Sequence, residues 1–309
     1  MSSFSSPVYV GGVPVTGSGF AATTGKYFYV DSSTGSNGNN GESVLEPKAT
    51  INGAIVAARA DKGDIIVCLP NHAETVTATS IALSKAGITV QCLGNAEAQA
   101  TFTYSAAAST ITISADDVTF IGGLHQATFA DVASAFTIGA AEGARIEGGK
   151  FEDTGASLNF LSIVTTGAVA NQHDGLQVVG NTFYGLHATP LAFISILEAV
   201  KDLLIQDNFI DSAATALMEC VTFAAFDSVG TRITGNTQIV VGATGTTIGI
   251  FLTGSGTSHT GIVADNKVAS LDTTTELIAT AGTGLQYFNN YYTGNADSSG
   301  KLWPAVDAA

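Results

Sequence analysis

Apolar and polar residues alternate in short bursts along most of this chain, and each burst closes on Gly-Asn or a near variant. The phrase reads ITVQCLGN ending at Asn95, VTFIGG ending at Gly123, ARIEGG ending at Gly149 and LQVVGN ending at Asn181. It continues as LLIQDN ending at Asn208, TRITGN ending at Asn236, GIVADN ending at Asn266 and LQYFNN ending at Asn290. Successive spacings are 28, 26, 32, 27, 28, 30 and 24 residues, a period that marks stacked supersecondary units. Three positions before the end of each phrase lie Cys92, Phe120, Ile146, Val178, Ile205, Ile233, Val263 and Tyr287, all apolar or aromatic. One position earlier lie Gln91, Thr119, Arg145, Gln177, Leu204, Arg232, Ile262 and Gln286, mostly polar. Alternation about a fixed turn is the strand period of two. Two positions beyond the phrase come Phe151, Phe183, Ile210, Val268 and Tyr292, which predict a second inward strand after a corner.

One repeat per turn, with like residues stacked, describes a parallel β-helix. Each turn adds about 4.8 Å, so eight visible turns span roughly 40 Å. Asn95, Asn181, Asn208, Asn236, Asn266 and Asn290 have a structural reading. Asn tolerates the left-handed conformation of a sharp corner, and stacked amides hydrogen-bond as a ladder.

Ahead of the repeat, KYFYVDSS (26–33) reads as a strand and TGSNGNNGES (34–43) as a loop. Thr50 caps a short helix over 51–60, with Ile51, Ala54, Ile55 and Ala58 on one face. KGDIIVCLP (62–70) is a strand stopped by Pro70. The helix is expected to cover the open end of the coil, which otherwise exposes core and strand edge. Residues 1–26, with Pro7, Pro14 and apolar Val8, Val10, Val13 and Val15, read as an extended arm that grips a neighbouring subunit. The β-helix is expected over 27–293, with a C-terminal tail at 294–309.

Composition narrows the function. Asp, Glu, Lys and Arg make up 12% of the 309 residues and the net charge is −15, with three arginines, Arg59, Arg145 and Arg232. No Lys/Arg cluster exists to replace counterions, so nucleic acid and anionic lipid are not expected partners. The three cysteines, Cys68, Cys92 and Cys220, lack metal spacing and read as reduced thiols, with Cys68 and Cys92 in apolar runs. No apolar stretch approaches the length of a membrane-spanning helix, and the N-terminus has no secretory pattern, which predicts synthesis in the cytoplasm.

Residues 27–75 resemble the opening of right-handed parallel β-helix proteins of the pectate-lyase-like superfamily. The matching positions are Tyr29, Val30, Asp31, Gly41, Pro47, Thr50, Ala54, Ala58, Gly63, Asp64, Ile65, Val67, Pro70 and Glu74. Asn71 stands where the family has Gly, and Asn37 and Asn39 where it has acidic residues. NFLSIVTTGAVANQHDGLQVVGN (159–181) is similar to a group of such proteins carried in the virions of tailed bacteriophages. The resemblance covers about 27–292 and implies an all-β, single-stranded right-handed coil. It carries no active site across.

Lyases of that superfamily pair Asp-bound calcium with a catalytic Arg. Here Arg145 and Arg232 share an outward column, with no Asp cluster beside either. A glycoside hydrolase needs two carboxylates flanking the bond. The best pair is Glu152 and Asp211, each three positions past its phrase and two turns apart, or about 9.6 Å, with Tyr184 between them to stack on a sugar. The alternative is a pair of solvated turn residues. His72, His125, His173, His187 and His259 show no metal spacing, and His173-Asp174 reads as loop surface. No metal or cofactor is expected. Leu93, Ile121, Val179, Leu204, Ile262 and Phe288 fall in outward columns and predict an apolar stripe for subunit contact.

The expected role is therefore a virion protein, a capsid decoration or cement protein that binds the major capsid protein and copies of itself as a homotrimer. The alternative is a tailspike or tail-fibre protein that binds or hydrolyses host surface polysaccharide. In purified particles, hundreds of copies imply decoration and a handful a tail appendage.

Overall fold

In the computed structural model the described residues are 8–10, 13–15, 23–168, 172–187, 192–213, 219–223, 226–240, 250–252, 258–270, 278–280, 284–294 and 297–303. The chain winds as a parallel β-helix with three sheets, each strand pairing with its equivalent one turn away. The first sheet begins with Tyr27–Val30 and Ile65–Cys68, continues through Thr89–Cys92, Thr119–Ile121 and Arg145–Glu147, and ends at Gly284–Phe288. The second runs from Ala73–Val76 through Leu124–Ala127, Lys150–Asp153, Thr182–Gly185 and Phe209–Ser212 to Asn290–Gly294. Asp297–Trp303 then folds back antiparallel on Asn290–Gly294, so sheet structure continues where a tail was expected. The third sheet has six strands, from Ile81–Leu83 to Glu219–Phe223.

Alternation decides what is inside. Phe120, Ile146, Val178, Ile205, Ile233 and Val263 of the first sheet are buried, because neighbouring turns bring the same face of the pleat into one column. The first phrase departs from this register. Val90, not Cys92, stands opposite Phe120, since ITVQCLGN runs two residues further before its Gly. Cys92 is half-buried beside buried Cys68 on the adjacent strand. The inward column of the second sheet holds Phe102, His125, Phe151, Phe183 and Ile210. His125 is sandwiched there, its ring centroid 5.0 Å from that of Phe102 and 4.6 Å from that of Phe151. Burial pushes its imidazole down to about 3, and Tyr104 Oη lies 3.0 Å from Nδ1.

The corner between the first two sheets is held by Asn side chains, by a mechanism only half anticipated. The left-handed residue is the one before each Asn: Gly180, Asp207, Gly235, Asp265 and Asn289 all have φ between 52° and 70°. The Asn itself is buried and builds the ladder. Nδ2 of Asn181, Asn208, Asn236 and Asn266 donates to Oδ1 of the next Asn at 3.1, 2.9, 2.9 and 2.9 Å, ending on Asn290. Each Oδ1 also accepts the backbone N–H one turn back, at 2.9 Å for Gly149 onto Asn181 and 3.0 Å for Asn181 onto Asn208. Asn95 has no place in the ladder: it is exposed and precedes a 3-10 turn, Ala96–Ala98.

The helix spans Ile51–Ala57, three residues shorter than expected. Thr50 accepts the Gly53 N–H, and Glu74 accepts the Ile51 N–H at 3.0 Å. It ends early because Asp64 captures the chain. The buried carboxylate accepts the Arg59 N–H at 2.9 Å, the Arg59 guanidinium at 2.6 and 3.0 Å, and the Lys26 N–H at 2.7 Å. Ile51, Ala54 and Ile55 cover the first turn of the coil. In the arm, Val8–Val10 and Val13–Val15 pair as an antiparallel hairpin where extended chain was expected. The side chains of Val8, Val10, Val13 and Val15, and their contact with a neighbour, lie outside the described residues.

Candidate functional site

The outward face of the second sheet gathers the chemistry. Strand register places Gln126, Glu152, Tyr184 and Asp211 in one outward column on four successive turns. A parallel column carries Leu124, Lys150, Thr182 and Phe209. Tyr184 is 41% exposed at the centre. Its ring lies 6.2 Å from that of Phe209, and Lys150 Nζ sits 5.6 Å from its centroid. Phe151 and Phe183, the inward neighbours of these residues, are buried, so the floor of the face is fixed by the core beneath it.

Glu152 and Asp211 therefore flank Tyr184, two strand spacings apart, or about 9.6 Å. Gln126 Nε2 donates to Glu152 Oε1 at 2.7 Å, and Lys150 Nζ lies 2.9 Å from Oε2. Partial burial pushes the Glu152 carboxyl up, but these hydrogen bonds and the Lys150 charge outweigh it and leave it below its usual range. Glu152 is a carboxylate at neutral pH and holds no proton to give a leaving group. Gln126, Lys150 and Phe209 were not singled out from sequence, although Lys150 and Phe209 each stand one position past a repeat phrase.

A loop over 154–161 borders this face. Buried Asp153 pins it, accepting the Phe160 N–H at 2.9 Å, and it accepts the Leu186 and His187 N–H groups of the next turn at 2.8 and 3.2 Å. Burial pushes the Asp153 carboxyl above its usual range despite these donors. The Asn159 N–H meets the Phe129 carbonyl one turn back at 3.1 Å. Phe129, Leu158 and Leu186 are thereby exposed on three successive turns. None of the three was flagged in the sequence, because they stand at unequal distances past their phrases, six, nine and five residues, and so form no aligned column.

The other candidates separate. Arg145 pairs with Glu147 at 2.8 Å and donates to Gln177, on the outer face of the first sheet, and exposed Arg232 is three turns further along that column. Leu93, Ile121, Val179, Leu204 and Ile262 are half-buried and Phe288 is exposed. Polar Arg145, Glu147, Gln177, Gln206 and Arg232 stand among them in the same columns. Four of the five histidines, His72, His125, His173 and His259, are buried. His173, expected on a loop surface, turns inward with Nε2 3.0 Å from the Gly167 carbonyl oxygen. Among the described residues no group of His, Cys, Asp and Glu is placed to hold a metal ion.

No protein-family model matches the chain, and no curated protein does. Among solved structures, a rhamnogalacturonan lyase aligns over 79% of this chain and 74% of its own, at 14% identity and a TM-score of 0.45. Pectate lyase Pel9A aligns over 86% of this chain and 78% of its own, at 14% identity and a TM-score of 0.44. Likenesses this distant say nothing of what this chain binds or cleaves.

Proposed function

We propose that the protein is a glycan-binding β-helix that holds a polysaccharide on the outer face of its second sheet and does not cleave it. The observation that supports this most is exposed Tyr184, set over a fixed floor between Glu152 and Asp211. An aromatic face takes up the apolar side of a sugar ring, and flanking carboxylates and amides take its hydroxyls. Lys150 and Gln126 hold Glu152 in a fixed hydrogen-bonded position beside the platform, which suits it to accept sugar hydroxyls. Titration calorimetry against a panel of bacterial surface and plant polysaccharides tests the reading. Tyr184→Ala is expected to weaken binding at least tenfold, a loss of about 1.4 kcal/mol. Binding that survives this change, or new reducing ends on incubation with a bound polysaccharide, would refute it.

A second reading, a decoration subunit of a phage head, rests on the outward apolar residues of the first sheet and exposed Phe288. It predicts self-association that Phe288→Ser abolishes in sedimentation velocity. The glycan reading also fits a receptor-binding part of a phage tail, as the sequence resemblance suggests.

A further inference from the structure

The ligand chemistry can be taken one step further, on the premise that the second sheet's outer face is the glycan site. We infer that this site selects neutral polysaccharides bearing apolar substituents, the methyl of an O-acetyl group or of a 6-deoxy sugar. Three observations lead there.

The first is the apolar ridge. Leu186 lies two residues past Tyr184, one beyond the end of its strand at Gly185, and is exposed, as are Leu158 and Phe129 on the two turns before it. Asp153 ties the Leu186 N–H and the 154–161 loop together from below. One buried side chain thus positions both the backbone of Leu186, two residues past Tyr184, and the loop that carries Leu158. A sugar stacked on Tyr184 directs its ring substituents outward from the platform, and those on this side meet carbon.

The second is charge. The chain carries −15 overall, and Glu152 and Asp211 flank the platform. The nearby cation, Lys150, is already paired with Glu152 at 2.9 Å. A polyuronate or sulfated glycan would bring like charge to a face that carries Glu152 and Asp211, where, among the described residues, the cation in contact with the Tyr184 ring is Lys150, already paired, and like-charge contact suppresses binding.

The third is the polar side. Gln126 and Glu152 form a hydrogen-bonded pair one turn from Tyr184. They offer donors and acceptors to hydroxyls along the Tyr184 column, on the same turns as Phe129 and Leu158. A ligand with hydroxyls along that column and methyl groups directed past the end of the strand, toward Leu186, satisfies both.

The test uses the full chain and matched polymers in affinity electrophoresis: O-acetylated glucomannan, the same polymer after mild alkaline deacetylation, a neutral polyrhamnose, and polygalacturonate. Acetylated glucomannan or polyrhamnose is expected to bind at least tenfold more tightly than deacetylated glucomannan, with polygalacturonate weakest. The acetyl and 6-deoxy arms distinguish the two sources of the methyl group. Leu186→Ser is expected to remove that preference and leave the weaker binding of deacetylated glucomannan intact, whereas Tyr184→Ala removes both. Circular dichroism and Leu186→Met control for folding. Equal affinity for acetylated and deacetylated polymer, with Tyr184→Ala still abolishing both, overturns the inference and spares the glycan site. Indifference of all binding to Tyr184→Ala overturns the site itself. Loss of self-association on Leu186→Ser, with unchanged glycan binding, makes the ridge a contact between copies and overturns the inference.

Discussion

The Asn ladder makes a quantitative prediction, because its rungs are not equivalent. Removing the side chain of Asn236 takes the acceptor from two buried donors, the Asn208 N–H at 3.0 Å and Asn208 Nδ2 at 2.9 Å. It also takes the donor from the Ile205 carbonyl at 3.0 Å and from Asn266 Oδ1 at 2.9 Å. At about 1–3 kcal/mol for each orphaned buried donor, Asn236→Ala should cost about 2–6 kcal/mol. Asn181 begins the ladder, and the residue one turn back in the column is Gly149, which has no side chain to donate. Its Oδ1 serves the Gly149 N–H at 2.9 Å, so Asn181→Ala orphans one donor and should cost about 1–3 kcal/mol. Urea unfolding of both variants, followed by circular dichroism, measures the difference. If the two lie within about 0.5 kcal/mol of each other with unchanged m-values, amide-to-amide bonding is not what holds this corner, and the Asn serves only the backbone.

Further outcomes follow from other buried polar groups. His125 titrates at about 3 in the folded chain against 6.5 unfolded. The unfolded state therefore takes up the proton first: this contribution to stability is complete above pH 6.5 and falls by up to about 5 kcal/mol as pH drops toward 3. His125→Phe should flatten the stability–pH profile in that window, and an unchanged slope would exclude His125 as its source. Asp64→Asn weakens the acceptor that holds the Arg59 and Lys26 N–H groups and should lower the urea midpoint; an unchanged midpoint would show that this carboxylate does not hold the chain at the end of the helix. Gly261 has φ 136°, and a Cβ there would stand 1.9 Å from the Thr231 carbonyl oxygen. Gly261→Ala should therefore cost more than about 3 kcal/mol or prevent folding, and a wild-type melting temperature would contradict the geometry.

The coil was legible because it depends on periodicity, and periodicity survives without coordinates. Phe120, Ile146 and Val178 could be aligned from their distance to Gly-Asn, and they stack in the structure. The first phrase misled because two extra residues before Gly94 preserve the look of the motif while shifting its phase. Val90 and Cys92 have the same parity, so alternation alone cannot tell them apart. The helix end was misjudged for another reason. Its apolar stripe continues to Ala58, but Asp64, a residue distant from the stripe, takes the Arg59 N–H out of the helix.

The site was half legible by the same logic. Glu152, Tyr184 and Asp211 could be aligned because each stands three positions past its phrase, and parallel register keeps equal offsets adjacent. What offset cannot reveal is protonation. Two carboxylates flanking a tyrosine satisfy the sequence pattern of a hydrolase, and only the structure shows that Lys150, two residues along the strand, and Gln126, one turn below, favour the charged form of Glu152. The ridge was invisible altogether, since Leu158 lies in the 32-residue interval that breaks the period. Its position depends on Asp153, whose pattern value was merely that of an inward strand residue. Regular turns thus supply a rigid floor, and on the proposed glycan reading the irregular interval adds the apolar contacts beside it. For this chain, substitutions that alter specificity are expected in 154–161 and at Leu186, and substitutions that alter stability in the Asn and aromatic columns.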